Sequence, residues 1–170
     1  MSAETKQLYL TQVFNIKEAI EASQLSGNTL QNEEAINSIL LQKIKKKFGN
    51  RCNALGYVDN DSIKIVSRSM GIINSSQFNG NINYDVKVEA AICKPSVSNK
   101  LVCKVIGKNK IGLFAINGPL HIIIASAHHN DTNVLGEIET GRDIEVEVIN
   151  YKFKLNSSNI KVIAQYLRTI

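Results

Sequence analysis

Tryptophan is absent from these 170 residues, and aromatic residues make up only 6% of them, so flat stacking surfaces must be few. Two prolines exclude a Pro-rich linker. The three cysteines, Cys52, Cys93 and Cys103, are an odd set with no C-x-x-C spacing. A disulfide scaffold wants an even count and structural zinc wants closely spaced pairs, so idle thiols in a reducing compartment are expected, with no metal. His128 and His129 are adjacent; on a strand their rings would point to opposite faces and could not share an ion. No apolar run approaches the roughly 18 residues of a membrane span, the tightest cluster being Ile122-Ile123-Ile124-Ala125. Met1 to Lys6 is polar and lacks a secretory apolar segment, so an intracellular protein with no membrane partner is expected. Signatures of catalysis are missing too: no H-E-x-x-H, no P-loop, no G-x-G-x-x-G and no Ser/His/Asp order. Neither an enzyme nor a cofactor is expected.

Apolar residues at 44% and charged residues at 21% suit a chain that folds, as one medium domain or two small ones. The net charge of +5 is spread thinly. Up to Tyr84 there are nine Lys/Arg against seven Asp/Glu, and beyond it eleven against eight, or +2 and +3. Such an excess permits weak phosphate attraction and is no nucleic-acid footprint by itself.

Leu8 to Ile16 is an apolar run that suits a strand buried on both faces, with helix also open. Ser26-Gly27-Asn28 is a break. Ile36, Leu40, Ile44 and Phe48 recur at helical spacing. Asn32 is placed to cap that helix, Glu33 and Glu34 occupy its first turn, Lys43 and Lys45 to Lys47 its last, and Gly49 follows as the C′ residue. From Gly56 the period becomes two. Tyr57-Val58, Ile63 to Val66 and Ile72-Ile73 read as short strands, and Asn79-Gly80-Asn81 as a turn. Val86, Val88, Ala90 and Ile92 make a long half-buried strand ending at Pro95.

The remainder reads as five strands: Leu101 to Val105, Ile111 to Ile116, Leu120 to Ala125, Ile144 to Val148 and Ile160 to Tyr166. Gly107 to Lys110 and Asn117-Gly118-Pro119 are the first two turns, Gly112 can permit a bend, and Ser126 to Thr140 is a polar loop. Five strands with a longer insertion after the third suit the closed Greek-key barrel called the OB-fold. The fold class expected is an α+β N-terminal domain, residues 1–84, followed by an all-β OB barrel, residues 85–170.

Gly80-x-x-x-Tyr84-x-Val86-x-Val88-x-Ala90-x-x-x-Lys94-Pro95 resembles the hinge segment of the stalk subunit of multisubunit DNA-directed RNA polymerases. That family contains the seventh subunit of RNA polymerase II and its archaeal counterpart. The match runs on through Lys100-Leu101-Val102-x-x-Val105, Lys110-Ile111-Gly112-Leu113-Phe114 and Gly118-Pro119-Leu120, with Gly56-Tyr57-Val58 upstream. It covers about Ile36 to Tyr166. The resemblance implies a truncated RNP-like tip domain that docks on the polymerase core near the clamp. It implies an S1-type OB barrel that meets nascent single-stranded RNA, a second, helical stalk partner, and no catalysis. Ile122-Ile123-Ile124 stands where the family has an aromatic residue, which weakens base stacking. The abundance of Asn and Ile suits an A+T-rich genome, hence a large DNA virus with its own polymerase, acting in a nucleus or a cytoplasmic viral factory.

Single strands are held by a cationic groove with stacking platforms. The candidates on the barrel are Lys104, Lys108, Lys110, Phe114 and His121, with Phe114 equally able to be barrel core because the register is open. Gly56, Tyr57, Ile72 and Ile73 are the candidates for core docking, or else for the tip domain's own interior. Asp143, Glu145 and Glu147 alternate with Ile144, Val146 and Val148 and read as a solvent face rather than a metal site. The alternative function is a free-standing S1-type RNA-binding protein of translation or RNA turnover, and a third class is a nuclease.

Overall fold

The computed structural model describes residues 8–25, 27, 32–73, 79–126, 136 and 138–170. Met1 to Lys6, Ser26, Asn28, the His128-His129 pair and most of the loop expected from Ser126 to Thr140 lie outside the described residues. The chain divides into two compact units. One takes the described residues of 11–50 and 58–92, the other those of 1–10, 51–57 and 93–170.

Among the described residues, the first unit combines a sixteen-residue α-helix and two 3-10 turns with a sheet, an α+β arrangement. Its organising strand is β6 (Ile82–Cys93), which has β1 (Tyr9–Ile20) and β3 (Tyr57–Val58) as neighbours and also pairs β4 (Lys64–Arg68) and β5 (Ile72–Ile73). The alternation read from sequence is kept along β6: Tyr84, Val86, Val88, Ala90 and Ile92 are buried, whereas Asn83, Asp85 and Lys87 are exposed. β4 runs antiparallel to it, Lys64 opposite Glu89 and Arg68 opposite Val86, with a bulge between Ile65 and Ser67.

β1 settles the helix-or-strand ambiguity as strand, and it corrects the expectation of burial on both faces. Phe14 and Ile16 are half-buried and Ile20 is fully buried, but Leu10 and Val13 are 60% and 48% exposed. Apolar residues on both faces of a strand do not reveal which face is covered.

The helix spans Glu33–Phe48 and buries Ile36, Leu40 and Ile44. Its start is as expected. The Asn32 Oδ1 accepts from the Glu34 and Ala35 N–H groups at 3.0 and 3.3 Å, satisfying donors that have no partner inside the helix. Its end differs by one residue. Gly49 is the C-cap, with φ −64°, and donates to the Lys45 carbonyl at 2.8 Å. Asn50, with φ 54°, is the left-handed residue that follows. Gly49 is still required, because a Cβ there would meet the Lys45 carbonyl oxygen and the Asn60 side chain. The lysine cluster at this end has structural partners: Lys43 Nζ donates to the Ala19 carbonyl at 2.8 Å and Lys47 pairs with Glu18 at 3.1 Å.

The second unit is a closed five-stranded barrel consistent with an OB-fold. Its strands are β7 (Lys100–Asn109), β8 (Gly112–Asn117), β9 (Leu120–Ala125), β10 (Asp143–Lys152) and β11 (Ile160–Thr169), in the order β10-β11-β9-β8-β7. β7, β8 and β9 form an antiparallel meander. β11 then joins β9 in parallel, and β10 closes the cylinder antiparallel to both β11 and β7. Alternate residues fill the interior: Leu101, Cys103, Val105, Leu113, Ala115, Leu120, Ile122, Ile124, Ile144, Val146, Val148, Ile160, Val162 and Ala164. Ile138, from the stretch read as a polar loop, also enters this core.

The turn expected at Gly107 to Lys110 is displaced. β7 continues to Asn109, Gly107 sits at a bulge opposite β8, and the turn is Lys110-Ile111. The Asn109 Oδ1 closes it by accepting from the Ile111 and Gly112 N–H groups at 2.8 and 3.1 Å. Gly serves turns and bulges alike, so the residue type alone did not separate the two. Upstream, the two-residue strand β2 (Arg51–Cys52), not foreseen, ties to this unit. The Cys52 N–H donates to the Ser157 carbonyl, and the Asn156 N–H to the Cys52 carbonyl, each at 2.8 Å.

Candidate nucleic-acid interface

Barrel register decides which of the expected RNA-contacting residues meet. Lys104 stands opposite Ile116, Ile116 opposite His121, and His121 opposite Lys161. All four are exposed. This outward row crosses four strands and continues through Lys152, the partner of Lys161 on β10. Lys104 and His121 are thus two strands apart, about 10 Å between their backbones. Phe114 is two residues from Ile116 on the same strand, half-buried and outward, since Leu113 and Ala115 beside it are 1% exposed. That removes it from the barrel interior. It forms a second row with Gly107 on one side, and with Ile123 and then Ile163 on the other.

Lys108 and Lys110 are not on these rows. They line a small cleft of about 240 Å³ at the β7–β8 end of the barrel, with Asn109, Leu113 and Ser126. Lys108 Nζ donates to the Gly136 carbonyl there. Lys161 and Lys152 escaped sequence reading because their place beside His121 is a matter of strand order, which periodicity does not carry.

The core-docking candidates fall into both units. Gly56 is buried at the end of a turn, where the Asn53 Oδ1 accepts from the Leu55 and Gly56 N–H groups at 2.7 and 3.1 Å. Tyr57 packs partly buried against the barrel core. Ile72 and Ile73, on β5 in the other unit, are 69% and 63% exposed. They flank a groove of about 740 Å³ whose other walls include Lys17, Lys47, Tyr84 and Asp85. Of the four candidates, these two carry the exposed apolar surface a partner would cover.

The acidic strand behaves as a solvent face. Asp143 is exposed, Glu145 receives Arg168 Nε at 2.6 Å, and Glu147 stands opposite Lys100. All three cysteines are buried. Burial pushes the Cys93 and Cys103 thiols up from 9.0 to about 12, Cys52 adding to the first shift and Asp143 to the second. Burial raises Cys52 as well, against a hydrogen bond with Ser157 that lowers it. Cys93 and Cys103 are therefore expected to resist iodoacetamide at pH 8 in the folded protein and to react in urea. The sign for stability follows: between pH 9 and 12 the unfolded chain binds fewer protons than the native one, so stability falls as pH rises through that window. A urea midpoint that holds constant from pH 8.5 to 11 would contradict the assignment.

No family model matches the sequence. The chain is similar to a protein of Acanthamoeba polyphaga mimivirus provisionally named as a DNA-directed RNA polymerase subunit. The two are 27% identical over 176 residues, covering 95% of this chain and 83% of the viral protein.

Proposed function

We propose that this chain is a noncatalytic stalk subunit of a DNA-dependent RNA polymerase of a large DNA virus, working in a nucleus or a cytoplasmic viral factory. Its front module, residues 1–84, docks on the core enzyme near the clamp through the region of Gly56, Tyr57, Ile72 and Ile73. Its rear module, residues 85–170, presents an S1-type barrel to nascent single-stranded RNA, with a helical stalk subunit as second partner. What carries the reading is one conjunction. A closed five-stranded barrel accompanies an α+β unit in a chain similar along 95% of its length to a protein named as an RNA polymerase subunit. The exposed Ile72–Ile73 pair supports docking, and the outward Lys104 and His121 support RNA contact.

Purification of the native protein through an affinity tag should recover the large polymerase subunits in stoichiometric amounts. Recovery only as a free monomer, or only on ribosomes, would count against the proposal. Recombinant chain with Lys104, Lys108 and Lys110 changed to Ala should bind single-stranded RNA more weakly. Its log K against log salt slope should flatten by roughly 0.7 for each lost phosphate contact. An unchanged slope would move RNA contact elsewhere. If removing the residues before Gly80 leaves all activity intact, the free-standing RNA-binding protein becomes the better reading.

A further inference from the structure

The chain contains two Asn-Gly pairs, Asn79-Gly80 and Asn117-Gly118. An Asn before Gly is open to attack on its own side chain, because no Cβ shields the Gly amide nitrogen. The fold holds the two pairs differently. Asn117 is half-buried at the end of β8, opposite Leu120, and its Nδ2 donates to the Val102 carbonyl at 2.7 Å. That bond clamps the Asn117 amide against β7. Asn79 and Gly80 are exposed, and Gly80 has φ +68°. The Asn79 Oδ1 accepts from the Asn81 N–H at 3.1 Å, which folds the side-chain carbonyl carbon back over the Gly80 nitrogen between them. Asn81 is itself fixed, its Oδ1 accepting from the Ala22 N–H at 3.3 Å.

We propose that Asn79 is a self-modification site, converting to aspartate and isoaspartate in the folded protein while Asn117 is protected. The Gly80 nitrogen attacks the Asn79 Cγ. The Cγ–Nδ2 bond breaks, ammonia leaves with the proton of the Gly80 amide, and a five-membered succinimide ring remains. The Asn81 N–H already points at Oδ1 and stabilises the negative charge that develops there. Solvent water then opens the ring, with no change of oxidation state. Attack at Cγ gives aspartate. Attack at the main-chain carbonyl carbon gives isoaspartate, whose backbone runs through the former side chain and is one carbon longer. Either product places a new negative charge just ahead of β6. The element this disturbs is β5, which is two residues long and pairs β6 through Ile72 opposite Asn83 and Ile73 opposite Ile82. A lengthened main chain on the segment joining the two strands loosens that short ladder. Conversion therefore weakens docking through Ile72 and Ile73; this consequence rests on the docking role proposed above, whereas the chemistry stands apart from it.

The test incubates the full chain at pH 8 and follows both Asn-Gly peptides by mass spectrometry, with electron-transfer fragmentation to separate aspartate from isoaspartate. In the folded chain Asn79 should convert at least about tenfold faster than Asn117, and in urea the two rates should converge, since no local opening is then needed. Gly80→Ala should slow conversion at Asn79 severalfold, because a Cβ shields the attacking nitrogen. Asn79→Gln should stay unmodified, and circular dichroism on both variants guards against a folding defect. Equal rates at the two pairs in the folded chain, or a folded-state rate at Asn79 well below that in urea, would overturn the modification site. For the consequence, fresh and pre-incubated tagged chains are used to capture large polymerase subunits from an extract of cells making the polymerase. The pre-incubated parent should recover less than the fresh parent, and Asn79→Gln should lose nothing on incubation. Full recovery by converted chain would refute the effect on docking. No recovery by fresh parent would sink the docking reading itself, while the peptide rates still decide the modification.

Discussion

Gly112→Val is expected to unfold or open the barrel, at a cost of roughly 3 kcal/mol or more. Gly112 has φ +151°, a conformation that side chains with a Cβ rarely adopt. A Cβ placed there would coincide with the Ile124 carbonyl oxygen and come within 2.9 Å of the Ile124 carbonyl carbon. These are backbone atoms and cannot rotate away. β9 is held in register on that side by Gly112 opposite Ala125 and Leu113 opposite Ile124. On its other side Ile124 stands opposite Ala164 of β11, so relieving the clash would disturb the parallel pair as well. Urea unfolding followed by far-UV circular dichroism is the measurement. With no tryptophan in the chain, Tyr151 and Tyr166, which pack against the barrel core, supply the fluorescence signal. A midpoint equal to the parent's would mean that the close approach of β8 and β9 is not real.

In the other unit the largest loss should come from Leu40→Ala, about 2–5 kcal/mol. Leu40 is at 0% exposure in the middle of the helical stripe, one turn from Ile36 and from Ile44. Truncation removes apolar burial and leaves a cavity that the helix cannot collapse into, because both ends are tied. Asn32 caps one end, and Lys43 and Lys47 bind Ala19 and Glu18 at the other. Hydrogen-exchange mass spectrometry of peptides spanning residues 36–48 should show faster exchange in the variant. Gln42→Ala on the exposed face of the same helix should change stability by less than about 0.5 kcal/mol. Equal effects from the two changes would refute the assigned face.

The elements that sequence disclosed are those whose two faces differ. The helix was legible because four apolar residues, a capping Asn and terminal lysines all agree. β6 was legible because buried and charged residues alternate without a break from Tyr84 to Glu89. β7 and β10 were legible for the same reason; β8 and β9, apolar on both faces, were marked instead by the Asn117-Gly118-Pro119 turn between them. Where both faces are apolar, as in β1, alternation is silent about the covered side. Gly49 and Asn50 share the end of the helix, and composition could not assign the left-handed conformation between them. The proposed RNA-facing grouping on the barrel was half-visible. Lys104, His121 and Phe114 were found as residue types, but their grouping depends on pairings between strands far apart in the chain. Lys161 lies 40 residues beyond His121 and becomes its neighbour only through the parallel β9–β11 ladder.

That ladder also fixes the timing of assembly during synthesis. β11 is made last of the five staves, yet it must wedge between β9 and β10, both translated earlier. Until it emerges from the ribosome, β9 has an open edge and the apolar lumen stays accessible to water and to other nascent chains. A premature stop codon after Asn159 would therefore leave an open, adhesive half-shell rather than a slightly shortened cylinder.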